Sequence, residues 1–189
     1  MLRRLSLLFI LAVLFAFDSI PLHSDNYSLN IVGNQFIIST PIDWTLSDAK
    51  EPLDYKLIHK SGTRECYLLL SCFQDFDSSD SGDFLDGEMI DALEALYGEE
   101  FWEKSNFSIS AIHNDKKDIH AWFFTWDAGD VIESGYVRAD TKFTSSSPCT
   151  TCIVLIEKIN KSHFNPDKQY ENLVEDYKTI MSNLLFFKK

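Results

Sequence analysis

The sequence predicts an α+β domain: an antiparallel or mixed β-sheet of about six to seven strands, packed with two amphipathic helices. Three observations carry this reading. Cys152-Ile-Val-Leu-Ile156 is an unbroken apolar, β-branched run between a Ser/Pro loop and Glu157-Lys158, the pattern of a central strand buried on both faces. Two other stretches repeat apolar residues at helical spacing,. The remaining ordered stretches read as strands, several bounded by turn residues,. Strands in runs with two separated helices argue against a doubly wound parallel fold.

Fold reasoning starts after the N-terminus. Arg3-Arg4 followed by the apolar stretch Leu5–Phe17 has the length and charge of a secretory signal, shorter than the roughly 20 residues of a membrane span. Residues 1–24 are therefore expected to be a signal peptide and residues 25–189 a single domain. Neither Ser19 nor Ser24 has a good small partner two residues earlier, so an uncleaved N-terminal anchor stays open. No cysteine follows until Cys66, which argues against a lipid anchor on a nearby cysteine.

Asp25–Asn34 reads as a polar lead-in and Phe36–Thr40 as a short strand stopped by Pro41,. Trp44 is expected in a turn, its ring packed back on the core. After a loop at 47–54, Tyr55–His59 forms a second strand, Lys60–Thr63 a hairpin turn and Glu65–Phe76 a long third strand,. An acidic Ser/Gly loop, Asp75–Asp86, feeds the first helix, with Leu85, Met89, Ala92, Leu93, Leu96 and Phe101 on its apolar side and Asp91, Glu94 and Glu99 opposite. Gly98 either ends that helix or lets it run to Trp102.

Phe107–Ile112 alternates as a half-buried strand, Asn114–Asp118 turns, and Ile119–Trp126 returns. Asp127–Asp130 turns again into Val131–Arg138, with an extension towards Phe143. The central run and a loop lead to the clearest helix. It opens with Asn165 as N-cap and Pro166 in the first turn, and carries Tyr170, Leu173, Val174, Tyr177, Met181 and Leu184 on its stripe. The order is β-β-β-α-β-β-β-β-α.

That order, with the Pro41-Ile-Asp-Trp44 stretch after the first strand, resembles the fold shared by photosystem II PsbP proteins and bacterial DcrB-type envelope proteins. The resemblance covers nearly all of residues 25–189. It implies a small α/β sandwich used as a binding or accessory module outside the cytoplasm, and it carries over no functional residues.

The chain has a formal net charge of −12. Without the first 24 residues it keeps 15 Lys+Arg against 28 Asp+Glu, a net −13. A field of that sign repels phosphate backbones and anionic surfaces, which argues against nucleic acid as a partner. Membrane contact is expected only through an uncleaved N-terminal segment. Aromatics at 14% and hydrophobics at 45% exclude a disordered chain.

Four cysteines on an exported chain point to disulfides. In strands, Cys66 and Cys72 would share a face, while Cys149 and Cys152 would point to opposite faces. One cysteine of the second pair would then lie beside one of the first if their strands are neighbours. All three connectivities stay open. Cys149-Thr-Thr-Cys152 lacks the following helix that lowers thiol pKa in redox sites, and a structural zinc site with Cys66 and Cys72 is a further alternative.

The sharpest local signal is Asp77–Glu88. Read as a twelve-residue calcium loop, it offers Asp77, Ser79 and Ser81 at positions one, three and five and Glu88 at the bidentate last position,. Against it stand the preceding strand, Phe84 and Leu85 inside the loop, and the lack of a second loop. The competing reading is an acidic stretch that caps a helix. His113 and His120 flank a turn near Asp118. Trp122, Phe124 and Trp126 share one strand face, which a helix is expected to cover; if left bare it would stack a sugar or peptide. Asn26, Asn106 and Asn160 head Asn-x-Ser triplets,.

No catalytic or cofactor-binding motif is found. The expected function is an exported, non-catalytic binding or accessory domain of the cell envelope or extracellular space, with a protein partner. The alternatives are a calcium-responsive module using residues 77–88, or an enzyme whose pocket draws on residues distant in sequence.

Overall fold

The computed structural model describes residues 26–31, 34–47, 53–72, 81–114, 117–143 and 148–188. The expected signal peptide and the first positions of the calcium reading, Asp77 and Ser79, lie outside these residues. Ten strands and two α-helices follow one another among them. They are β1 (Asn26–Ile31), β2 (Asn34–Ser39), β3 (Trp44–Ser47), β4 (Tyr55–His59) and β5 (Arg64–Cys72), then α1 (Ser81–Tyr97). Next come β6 (Phe107–Asn114), β7 (Lys117–Asp127), β8 (Val131–Phe143), β9 (Pro148–Asn160), α2 (Pro166–Ser182) and β10 (Leu184–Lys188).

Seven strands form one antiparallel sheet in the order β3-β4-β5-β9-β8-β7-β6. The apolar run at 152–156 lies in β9, fourth of the seven, where every residue from Cys149 to Ile156 is buried. Helices cover both faces, which explains why this strand is apolar without alternation. On one face α2 brings Leu173, Tyr177 and Ile180 onto Cys66, Leu68, Ile153 and Leu155. On the other, α1 sets Leu85, Met89 and Leu93 against Val137, Cys152, Val154 and Ile156.

β1, β2 and β10 make a second, three-stranded antiparallel sheet. Three sequence expectations change here. Asn26–Ile31 is a strand and not a lead-in; its polar residues gave no pattern, and it is held by pairing with β2. Trp44 opens β3 instead of lying in a turn, and its ring is buried against the edge of His59 at 5.1 Å. Leu184 opens β10, because Asn183 ends the helix, its backbone N–H bonding back to the Ile180 carbonyl at 3.0 Å. β10 joins β2, some 150 residues earlier in the chain, a partner that no local pattern announces. The strand expected at Phe36–Thr40 is present as β2, ending at Ser39, but it belongs to this small sheet.

Helix ends follow the predicted chemistry. The Asn165 side chain accepts from the Lys168 N–H at 3.2 Å and Pro166 occupies the first turn,. Gly98, at φ +85°, ends α1, leaving Phe101–Glu103 as a separate 3₁₀ turn.

Among the described glycines, Gly135 is the one at which a side chain has no room. It pairs directly with Phe124 across β7–β8, and a β-carbon there would lie 1.9 Å from the Phe124 ring. The ring lies over the bare glycine backbone, stacks on Phe107 at 5.3 Å and meets the edge of Tyr97 at 5.6 Å. Gly135→Ala is expected to cost about 1–3 kcal/mol, the usual range for overpacking a core. Urea unfolding should show a lower midpoint at an unchanged slope. Adding Phe124→Leu should return part of the loss, a coupling that a double-mutant cycle reads directly.

Candidate functional site

Two concave surfaces among the described residues lie on opposite faces of the large sheet, and they differ in chemistry. On the α2 face, beside β3 and β4, lies a polar cleft of about 430 Å³ lined by Trp44, His59, Arg64, Asp176 and Asn183, with Ile42 at its mouth. Arg64 donates to Asp176 Oδ2 at 2.6 Å, joining β5 to α2. Burial raises the Asp176 carboxyl above the ordinary range, and the Arg64 charge works against that rise. Burial and the Arg64 guanidinium lower the pKa of His59, so its imidazole is neutral at neutral pH. Arg138 lies over the Tyr177 ring at 5.0 Å and donates to Asp140, which also accepts from the Tyr177 hydroxyl. These ionisable groups tie helix to sheet.

At the opposite edge, on the α1 face, the lining is apolar. A groove of about 190 Å³ is formed by Ile90 of α1, Phe101 and Trp102 of the 3₁₀ turn, Ile109 and Ala111 of β6, and Trp122 of β7. Its placement follows from local chemistry. Phe101 is buried against Phe107 at 5.0 Å, so the adjacent Trp102 is turned outward. Lys104 donates to the Tyr97 carbonyl and lies over the Trp126 ring, fixing the turn to the end of α1. Trp102 is 48% exposed and Ile109 40% exposed, two of the three large apolar side chains exposed among the described residues. Single exposed apolar residues are ordinary; two flanking one groove mark a contact surface.

The predicted site residues disperse. Ser81 opens α1 and Glu88 lies within it, so positions five to twelve of the calcium reading are helical. Glu88 accepts from the Ser71 hydroxyl at 3.2 Å, and burial raises its carboxyl. Cys66 and Cys152 are free, fully buried thiols on opposite faces of the sheet, and burial raises both pKa values. The expectation that all four cysteines pair therefore fails for these two, since the sheet itself separates them. Cys72 and Cys149 stand directly opposite each other across β5–β9, and Cys149 is not a free thiol. Among the described residues no three His, Cys, Asp or Glu side chains gather as a metal site.

His113 and His120 fall on β6 and β7, with side chains outside the described set. Phe124 is fully buried under α1, and Trp122 and Trp126 are partly buried against the same core. The expected helix cover is present, and only the Trp122 end reaches the groove. Asn106 donates to the Asp127 carbonyl at 2.8 Å, while Asn160 accepts from the Ser162 N–H and hydroxyl. No helix among the described residues is long and apolar enough to cross a membrane. Sequence reasoning missed the groove itself. Its signal was the Phe101-Trp102 pair, two large aromatics of which a turn can bury only one.

No family model matches the chain, and no curated protein matches it. Nine solved chains match in structure. One is LpqN of Mycobacterium tuberculosis, described as involved in cell envelope biogenesis, with 11% identity and a TM-score of 0.52. The match covers 87% of this chain and 91% of LpqN. At that identity the likeness is one of fold. The PsbP and DcrB resemblance has no family match behind it and reduces to the same statement.

Glu88 gives a pH test of the site geometry. A carboxyl raised in the folded state holds protons that the unfolded chain has released, so folding stability falls as pH rises from about 4 through the raised value. Glu88→Gln keeps an acceptor for Ser71 and removes the charge. It should stabilise the protein at pH 7, with the difference vanishing near pH 3 in parallel urea titrations. A calcium-dependent rise in melting temperature in the parent, lost in Glu88→Gln, would instead assign this carboxylate to a metal. Asp176→Ala should lower stability by about 1–3 kcal/mol, the cost of stripping a hydrogen-bonded partner from a half-buried charge.

Proposed function

We propose that this chain is an exported, non-catalytic binding or accessory domain that acts on a protein partner in the cell envelope or extracellular space. The observation that carries the binding reading is the apolar groove with Trp102 and Ile109 on its rim. In support, the ionisable groups of the polar cleft are engaged in links between helix and sheet, as Arg64 is with Asp176. The fold shared with LpqN, whose description places it in envelope biogenesis, supports the address.

The facing pair Cys72 and Cys149 supports the same address. Directly opposed strand residues in an antiparallel pair lie about 4.5–5.5 Å apart at Cα, inside the range a disulfide spans. A bond between them would persist only in an oxidising compartment. It would join β5 to β9 where each strand adjoins a loop, leaving Cys66 and Cys152 as buried thiols.

The test combines address and interaction. The protein expressed in its native host is expected in the exported fraction, shortened by about the length of a signal peptide. Alkylation of the unfolded, unreduced chain should label two cysteines, Cys66 and Cys152, and labelling after reduction should reach all four. Cross-linking in intact cells should trap a defined exported or envelope protein. Recovery in the cytoplasm with four free thiols would overturn the proposal. So would a robust turnover activity abolished by substituting His59 or Asp176.

A further inference from the structure

We propose that the outer edge of β6 is a strand-docking site, which takes an extended segment with alternating apolar residues and basic flanks from the partner protein. This rests on the binding reading above and names the site and the chemistry of what it binds. β6 is the terminal strand of the seven-stranded sheet, and among the described residues no strand pairs with its outer side. Natural edge strands are guarded by charges, proline or short length. Phe107-Ser-Ile-Ser-Ala-Ile112 has no charge and no proline. A register shift comes only after Ile112, so six residues stay regular.

The free backbone groups can be assigned. The Asp127 N–H donates to the Asn106 carbonyl at 2.9 Å, which makes 106/127 a hydrogen-bonded pair. Such pairs alternate along an antiparallel ladder, so Ser108, Ser110 and Ile112 bond inward to Thr125, Phe123 and Ala121. Phe107, Ile109 and Ala111 then turn their backbone groups outward, and the Phe107 N–H is already held by the Lys104 carbonyl at 3.0 Å. Ile109 and Ala111 remain, and both also line the groove. A strand added at this edge would bond to Ile109 and Ala111 while its alternate side chains enter the apolar surface beside Trp102. That coincidence is the requirement of strand addition, in which main-chain bonds give affinity and adjacent pockets give selectivity.

Charge decides between a second copy and a different partner. Asp91 follows Ile90 in sequence, Glu99 and Glu100 precede Phe101, and Glu103 follows Trp102; all four are exposed. Lys104, the nearby base, is committed to Tyr97. An acidic rim on a chain of net charge −12 disfavours a second copy and favours basic flanks.

Two synthetic peptides test this on the exported protein: an alternating Val/Ser strand flanked by lysines, and the same strand flanked by glutamates. The lysine peptide is expected to bind, to shift Trp fluorescence to the blue, and to slow amide exchange at Ile109 and Ala111 at least tenfold. Ser108 and Ser110 should not change. Ala111→Pro removes an outward N–H that no inward bond uses, and Trp102→Ala removes the groove wall; each should weaken binding at least tenfold. The parent protein's exchange pattern decides the question even where a variant fails to fold. Failure of both peptides, equal binding of both, or protection elsewhere would overturn the site. So would protection of Ile109 and Ala111 in the peptide-free protein, either through dimerisation or released by removing residues 1–24. A cross-linked envelope partner indifferent to Trp102→Ala would sink this site and leave the proposed function standing, whereas a cytoplasmic address would sink the function alone.

Discussion

The seating of Phe124 on Gly135 is the contact on which the α1 side of the molecule depends. Each aromatic ring there is placed by the one beneath it. Phe124 can lie flat against the sheet only because position 135 has no side chain. Phe107 stacks on Phe124, Tyr97 meets both edge-on, and Phe101 closes on Phe107. Tyr97 is the last residue of α1 and Phe101 the first of the 3₁₀ turn. The stack therefore decides where the helix stops and which way the turn faces. Trp102 is exposed because Phe101 has taken the single buried position.

The two faces of the sheet are secured by different physics. On the α1 face the helix contacts are mainly apolar and aromatic. Two polar links run from α1 to the sheet, the Tyr97 hydroxyl to Glu133 and the Ser71 hydroxyl to Glu88, each at 3.2 Å, while Lys56 and Lys158 pair with Glu65 along the sheet. On the α2 face one charged pair, Arg64 on Asp176, runs between layers, while Arg138 and Asp140 pair within β8 beneath Tyr177, whose hydroxyl donates to Asp140. Half-buried pairs of this kind contribute orientation more than net stability, because desolvation offsets most of the attraction. They also leave their members little freedom to bind a ligand without giving up a fold contact. The apolar groove has no such obligation, since nothing there must be unpaired before it can be filled.

Much of the architecture was legible in the sequence because its signals are local. The run at 152–156 announced the central strand, Asn165-Pro166 the start of α2, and Gly98 the end of α1. The small sheet was not legible. Asn26–Ile31 and Leu184–Lys188 owe their strand form to β2: the first is too polar to show a strand pattern, and the second pairs across some 150 residues, which no local pattern announces. The cysteines show the same division. Alternation separated Cys149 from Cys152 in advance, but only the register of β5 against β9 selects Cys72 as the neighbour of Cys149. The groove was the least legible feature, since it joins residues 90, 101, 102, 109, 111 and 122 from four elements.

An unguarded, uncharged edge strand is ordinarily a hazard, because the same backbone groups that accept a partner also accept a copy of the chain. Here the guard is placed around the strand and not on it. The acidic residues lie on α1 and the neighbouring turn, where they repel another acidic molecule without occupying the ladder positions. Charge on β6 itself would protect against self-association, but it would also exclude any strand that must bond at Ile109 and Ala111. Moving the charge to the rim separates the two outcomes by the sign of the incoming chain. Because surface fields are screened over about 10 Å at 0.1 M salt, the guard would weaken as ionic strength rises while the apolar groove would not. Self-association, where it occurs, should thus be favoured by salt, and capture of a basic strand should be opposed by it.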